Sequence, residues 1–225
     1  YMAYLQGQGK HFCGGFLVAP SWVMTAAQCL AYKPLTVILG AHTIQKKEES
    51  WQTFGVKEYH RHPDFKSREE GNDILLLKLD GNATINRHVR TIALQDKHSR
   101  CTKGSVVGWG NEKGNVTLRE ATVTVLSQMQ CISYNLALRD GMVCASSESN
   151  GIPGEVSPCS GRRRLQGSFW PGAEQKGQED PCGDAGDPLV CNRKAYGIFS
   201  YRHSSWPGFY THICFYIQWV NRVMK

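Results

Sequence analysis

Short runs of β-branched residues and leucine, each closed off by glycine, proline, asparagine or charged residues, govern what this chain can fold into. Thr36-Val37-Ile38-Leu39, Ile74 to Leu79, Ser105-Val106-Val107 and Ala121-Thr122-Val123-Thr124-Val125-Leu126 are such runs. Side chains branched at Cβ suit a pleated surface, and the runs have strand length, so they are expected to form antiparallel sheets. The tail differs. Ile213, Ile217, Val220 and Met224 recur at helical spacing beside Trp219, and Arg222 and Lys225 lie near the end, where cations meet the helix dipole favourably.

At 225 residues and 41% hydrophobic content, the chain can bury a substantial core as one domain. Nine cysteines argue for an oxidising compartment, but their spacing does not fix the pairing. No apolar run is long enough to span a bilayer, and no charged-then-apolar leader opens the chain. A soluble mature form or a fragment is therefore expected.

Three stretches carry chemistry. Cys182-Gly183-Asp184-Ala185-Gly186-Asp187-Pro188 is the surround of a serine nucleophile with alanine in the serine's place. Thr25-Ala26-Ala27-Gln28-Cys29 sets a glutamine between small residues and a cysteine, and Gly71-Asn72-Asp73-Ile74-Leu75-Leu76-Leu77 has an aspartate ahead of an apolar run. Together with Cys13-Gly14-Gly15-Phe16, Leu39-Gly40-Ala41-His42, Val107-Gly108-Trp109-Gly110 and Pro207-Gly208-Phe209-Tyr210, they resemble the chymotrypsin-like serine proteases over nearly the whole chain. Tyr1-Met2-Ala3-Tyr4-Leu5 and the Leu-Gly-Ala-His motif resemble the granule branch of chymases, cathepsin G, duodenase and granzymes.

The resemblance implies an all-β fold, two six-stranded antiparallel β-barrels with a C-terminal α-helix packed on the second. The single domain would run over 1–225, with barrel 1 over about 1–95, barrel 2 over about 100–211 and the helix over about 212–224. It implies disulfides Cys13–Cys29, Cys101–Cys191 and Cys131–Cys144. Cys159, Cys182 and Cys214 remain; Cys159 and Cys182 could bracket a loop, leaving Cys214 as a buried thiol in the terminal helix.

In the family's mechanism, a serine attacks, a histidine takes its proton and a buried aspartate orients the histidine. Here Ala185 offers no hydroxyl, and Gln28 cannot titrate near neutral pH. Asp73 is the retained acid. Gly183 and Ala185 would still supply backbone N–H donors to an oxyanion. Asp184 takes the position that pairs with a freed N-terminus; without that partner, a zymogen-like pocket is expected. The resemblance places Glu179, Ser200, Arg202 and Gly208 at the pocket, with Arg202 set to hinder substrate along the edge strand. His203 is read as a solvated loop residue.

The stretch 151–180 is longer than the granule branch has and lacks sustained periodicity, so it is read as a surface loop. Two origins stay open, an exosite insertion and an intron read as coding. It contains Arg162-Arg163-Arg164. With further basic clusters at Lys46-Lys47, Arg87 to Arg90 and Lys97 to Arg100 and a net charge of +7, sulfated glycosaminoglycan of the heparin type is the first partner to consider. Peptide or protein ligands also fit. No aromatic platform accompanies the arginines, which argues against nucleic acid. His60-Arg61-His62 with Asp64 lacks a further ligand at a recognised spacing, so no metal site and no cofactor are expected. Asn82 and Asn115 head N-glycosylation sequons. The expectation is a monomer, secreted or stored in secretory granules, in one of three classes: a pseudoprotease that binds, an endopeptidase, or a decayed product.

Overall fold

The computed structural model describes residues 1–9, 12–112, 115–147, 185–202 and 207–225. Six antiparallel strands, β1 (Met2–Gln6), β2 (Phe12–Ala19), β3 (Trp22–Thr25), β4 (Thr36–Leu39), β5 (Gln52–Arg61) and β6 (Leu75–Leu79), close into a barrel in the order β1-β2-β3-β6-β5-β4. A second sheet contains β7 (Ala93–Leu94), β8 (Lys103–Glu112), β9 (Asn115–Val125), β10 (Met142–Ser147), β11 (Pro188–Cys191), β12 (Lys194–Tyr201) and β13 (Gly208–His212). Its last six strands close on themselves through the β11–β12 pairing. The fold is thus two six-stranded antiparallel barrels, and closure leaves few free edges. Ala93–Leu94 falls within the stretch of about 1–95 expected for barrel 1, but it pairs in parallel with β12, outside that ring.

The apolar runs behave as the pleat demands. Leu75, Leu76 and Leu77 are fully buried with Phe16, Leu17 and Met24, each such side chain contributing about 1.5–3 kcal/mol on leaving water. Leu76 and its neighbours are buried on both faces because one face fills the barrel and the other meets the seam between barrels. Ile198, Ile213, Trp219 and Val220 belong to the same cluster. The terminal helix α2 (Ile217–Val223) follows a 3-10 turn over Ile213–Tyr216. Its buried face joins the seam and the first barrel's core, with Trp219 against His62, rather than resting on the second barrel alone.

A short helix that periodicity did not indicate, α1 (Gln128–Tyr134), starts with a capping box. Ser127 accepts from the Gln130 N–H and the Gln130 side chain reaches back to the Ser127 N–H, which satisfies two otherwise orphaned donors. Disulfides join Cys13 to Cys29, Cys101 to Cys191 and Cys131 to Cys144. The last ties α1 to β10. Among the described residues, no helix is long and apolar enough to cross a membrane.

Candidate active site

Asp73 enters the seam from a turn whose backbone is left-handed at both Gly71 and Asn72, with φ of 86° and 56°. Those residue types tolerate that region best. The turn swings the Asp73 side chain inward to full burial, and Thr211 Oγ1 donates to its carbonyl at 2.9 Å. Gln28 arrives from the other side, on the 3-10 helix Ala27–Tyr32 that follows β3 and is held by the Cys13–Cys29 bridge.

Four hydrogen bonds join the two residues and Ser200. The Gln28 backbone N–H donates to Asp73 Oδ1 at 2.9 Å, and Gln28 Nε2 donates to Asp73 Oδ2 at 2.6 Å and to the Ser200 carbonyl at 2.7 Å. Ser200 Oγ donates to Asp73 Oδ2 at 2.5 Å. Burial pushes the Asp73 carboxyl above the usual carboxylate range, while the Ser200 hydroxyl and the Gln28 donors pull the other way. Both Gln28 amide hydrogens are therefore committed. The group holds Asp73 and the β12 backbone together, but it has no basic lone pair with which to take a proton.

Ala185 lies at the start of the turn leading into β11. Its carbonyl accepts from the Gly14 N–H at 2.9 Å and sits 3.6 Å from Cys29 Sγ, so the turn abuts the element that carries Gln28. Gly186 has φ of 96°, donates to the Phe199 carbonyl at 2.9 Å, and is packed so closely that a Cβ would meet Gly14 O and Thr25 Oγ1, each at 2.2 Å. Only glycine fits. The turn is thus clamped between β2 and β12 and presents a methyl group, which can neither attack nor donate. Asp187 is buried with its carboxylate in a notch formed by Gly14 and Gly108; a Cβ on Gly14 would fall 1.6 Å from Asp187 Oδ1.

The structure thus brings Gln28, Asp73 and Ser200 into one hydrogen-bonded group beside the Ala185 turn. Ser200 serves Asp73 directly, a role beyond the pocket position expected for it; no local signal marks it, since 127 positions separate the partners. Gly208 is buried in β13, where a Cβ would crowd the Phe199 and Tyr210 rings at 3.1 and 3.2 Å. Arg202 is half-buried just past β12. Glu179, Gly183, Asp184, Cys159, Cys182, His203 and Arg162 to Arg164 lie outside the described residues, as does the whole stretch 151–180.

Of the remaining positions, His60 meets Glu58 at 2.9 Å, whereas His62 turns toward Tyr216 and Trp219, so the two imidazoles diverge. Asn82 is exposed on a loop after β6, and Asn115 begins β9. Arg87, His88, Arg90, Lys97, His98 and Arg100 are exposed, as are Lys46 and Lys47. Glu48 bends inward to accept from the N–H groups of His42 and Thr43 and from Trp51 Nε1. One expectation needs correcting: Cys214 is not a buried thiol inside the helix. It is half-exposed and unbridged in the 3-10 turn, between two histidines.

Two closed antiparallel barrels with a buried aspartate at their seam, fed by a glycine-clamped turn, define the architecture of the two-barrel serine proteases. A profile described as Trypsin matches residues 1–162, and the chain belongs to the trypsin family of serine proteases. It is 35% identical to mouse granzyme F, covering 100% of this chain and 86% of that protein, and 34% identical to human cathepsin G, covering 100% and 82%. A solved structure of GrC superimposes with a TM-score of 0.79 at 32% identity, covering 100% of this chain and 93% of that one.

Proposed function

We propose that this chain is a pseudoprotease, which keeps the trypsin fold and acts by binding rather than by cleaving peptide bonds. The observation that carries the reading is the commitment of both Gln28 amide hydrogens to Asp73 and the Ser200 carbonyl. The base position has become a structural clasp, and Ala185 beside it offers no nucleophile. Losing the nucleophile or the base of such a unit costs on the order of 10⁶ in turnover, and the second loss adds little because the residues act together.

Anionic partners, sulfated glycosaminoglycan first, fit the net charge of +7 and the exposed clusters at Arg87 to Arg90 and Lys97 to Arg100. Arg162 to Arg164 would add to them. Peptide or protein ligands are the second class, held along the seam. The reading includes a monomeric, disulfide-bonded glycoprotein of the secretory route or its granules, modified at Asn82 and Asn115.

Purified protein should neither react with a fluorophosphonate probe nor hydrolyse chymotrypsin-type or trypsin-type peptides, and it should elute from heparin at a salt concentration above that of a cation-exchange control. Probe labelling with peptide turnover would establish instead the serine-type endopeptidase that family membership alone suggests.

A further inference from the structure

Away from the seam, the end of β13 and the turn after it gather a thiol and two imidazoles. Cys214 Sγ lies 3.3 Å from His212 Nε2 and 3.5 Å from His98 Nδ1. His98 comes from the loop between β7 and β8, more than a hundred positions away, so the cluster is made by tertiary structure. Around it, the Tyr196 ring lies 4.5 Å from that of His212, and Phe215 lies 4.7 Å from His98 and 5.2 Å from His212. His212 and Tyr196 are buried, Cys214 is half-exposed, and His98 and Phe215 face solvent. The result is a half-exposed thiol set among aromatic rings, two of which, His98 and Phe215, face solvent.

We propose that Cys214, flanked by His98 and His212, is a thiol–disulfide exchange site that takes low-molecular-weight disulfides of the glutathione or cystine class. A single S–H can donate to only one of the two rings. The other ring must then offer its own N–H to the sulfur, so the site holds both an acceptor for the proton and a donor for the thiolate. His98 Nδ1, on the exposed side, accepts the proton. His212 Nε2–H, on the buried side, donates to the sulfur as charge develops there. The Cys214 sulfur attacks one sulfur of the small disulfide, the S–S bond breaks, and a mixed disulfide forms. The leaving thiolate takes up the proton and departs as a thiol. The Cys214 sulfur passes from the thiol to the disulfide level while the leaving sulfur passes from the disulfide to the thiol level, so the exchange balances and no further reagent is required.

Burial raises the Cys214 thiol above its ordinary value. Its resting form at neutral pH is S–H, and a base within reach is what makes exchange fast. An ordinary exposed cysteine would not need one.

The experiment uses the purified full chain, prepared without reductant and incubated with oxidised glutathione, followed by peptide mapping with mass spectrometry and rate measurements. The expected result is one glutathionyl group on the Cys214 peptide, absent in Cys214→Ser, with exchange slowed on the order of tenfold in His98→Ala, a modest share of what a positioned base can supply. His98 is exposed, so the variant should fold; circular dichroism and a thermal melt matching the parent would document it. Three outcomes would overturn the proposal: Cys214 found in a disulfide with Cys159 or Cys182, Cys214 left as a free thiol after incubation, or His98→Ala reacting at the parent's rate.

Discussion

Gln28 Nε2 donates to Asp73 Oδ2 at 2.6 Å while the Gln28 backbone N–H donates to Asp73 Oδ1 at 2.9 Å. One residue thus satisfies both oxygens of a carboxylate from which water is excluded. A buried carboxylate stripped of its donors would suffer the full desolvation penalty. Glutamine reproduces the N–H donation that an orienting aspartate receives, and it adds a tie to Ser200. Its amide offers no basic lone pair for a proton.

Gln28→Leu keeps the approximate volume and the backbone donor but removes both side-chain bonds. It should lower the unfolding free energy by about 1–3 kcal/mol, read by urea denaturation. A change within about 0.5 kcal/mol, the range of ordinary surface substitutions, would show that the clasp carries no stability.

Ala185→Ser restores a hydroxyl on the clamped turn but leaves Gln28 beside Asp73. Without a base the hydroxyl keeps its proton, so the variant should show no peptide hydrolysis above that of the parent protein. Turnover by this single variant would mean that another group deprotonates the serine, and the reading of Gln28 as the lost base would fall.

Much of the barrel architecture was legible because β-branched runs such as Thr36 to Leu39 coincide with strands. β5 was not, since its ten residues are all partly exposed or exposed and give no clean apolar alternation. α1 is only 7 residues long, too short for periodicity to register, although Ser127 and Gln130 do hold its start. Gln28, Asp73 and Ala185 stand out through the short motifs around them. The donation of Ser200 to Asp73 has no such signature, because folding alone closes that distance. Cys214 escapes the helical spacing for a related reason: that spacing extends back through Ile213, but the chain makes a 3-10 turn there, and the tighter winding turns the thiol toward His98 and His212.

Gly14 and Asp187 should prove energetically coupled. A Cβ on Gly14 would sit 1.6 Å from Asp187 Oδ1, so Gly14→Ala forces the carboxylate out of its notch and should destabilise by more than about 2 kcal/mol. Asp187→Gly vacates the notch. In that background Gly14→Ala should cost less, giving a coupling of about 0.5–3 kcal/mol in a double-mutant cycle of denaturation midpoints. Strict additivity would mean that the two residues do not share this space in solution.

His212 sets the pH dependence of the second barrel's end. Burial, with His98 adding to it, lowers its imidazole from the usual value to about 4. The unfolded chain then binds a proton near pH 6.5 that the folded chain refuses until about pH 4, so stability is fully present above the upper value and falls as pH drops through this window. A shift of this size corresponds to a loss of roughly 3 kcal/mol across it. His62 is also lowered by burial and acts in the same direction, so the parent alone cannot separate the two. His212→Asn, which cannot titrate, should show a shallower fall in urea-derived stability between pH 6.5 and pH 4 than the parent. Parallel pH profiles would place the acid sensitivity elsewhere and would mean that the ring is less buried in solution than its packing against Tyr196 and Phe215 requires.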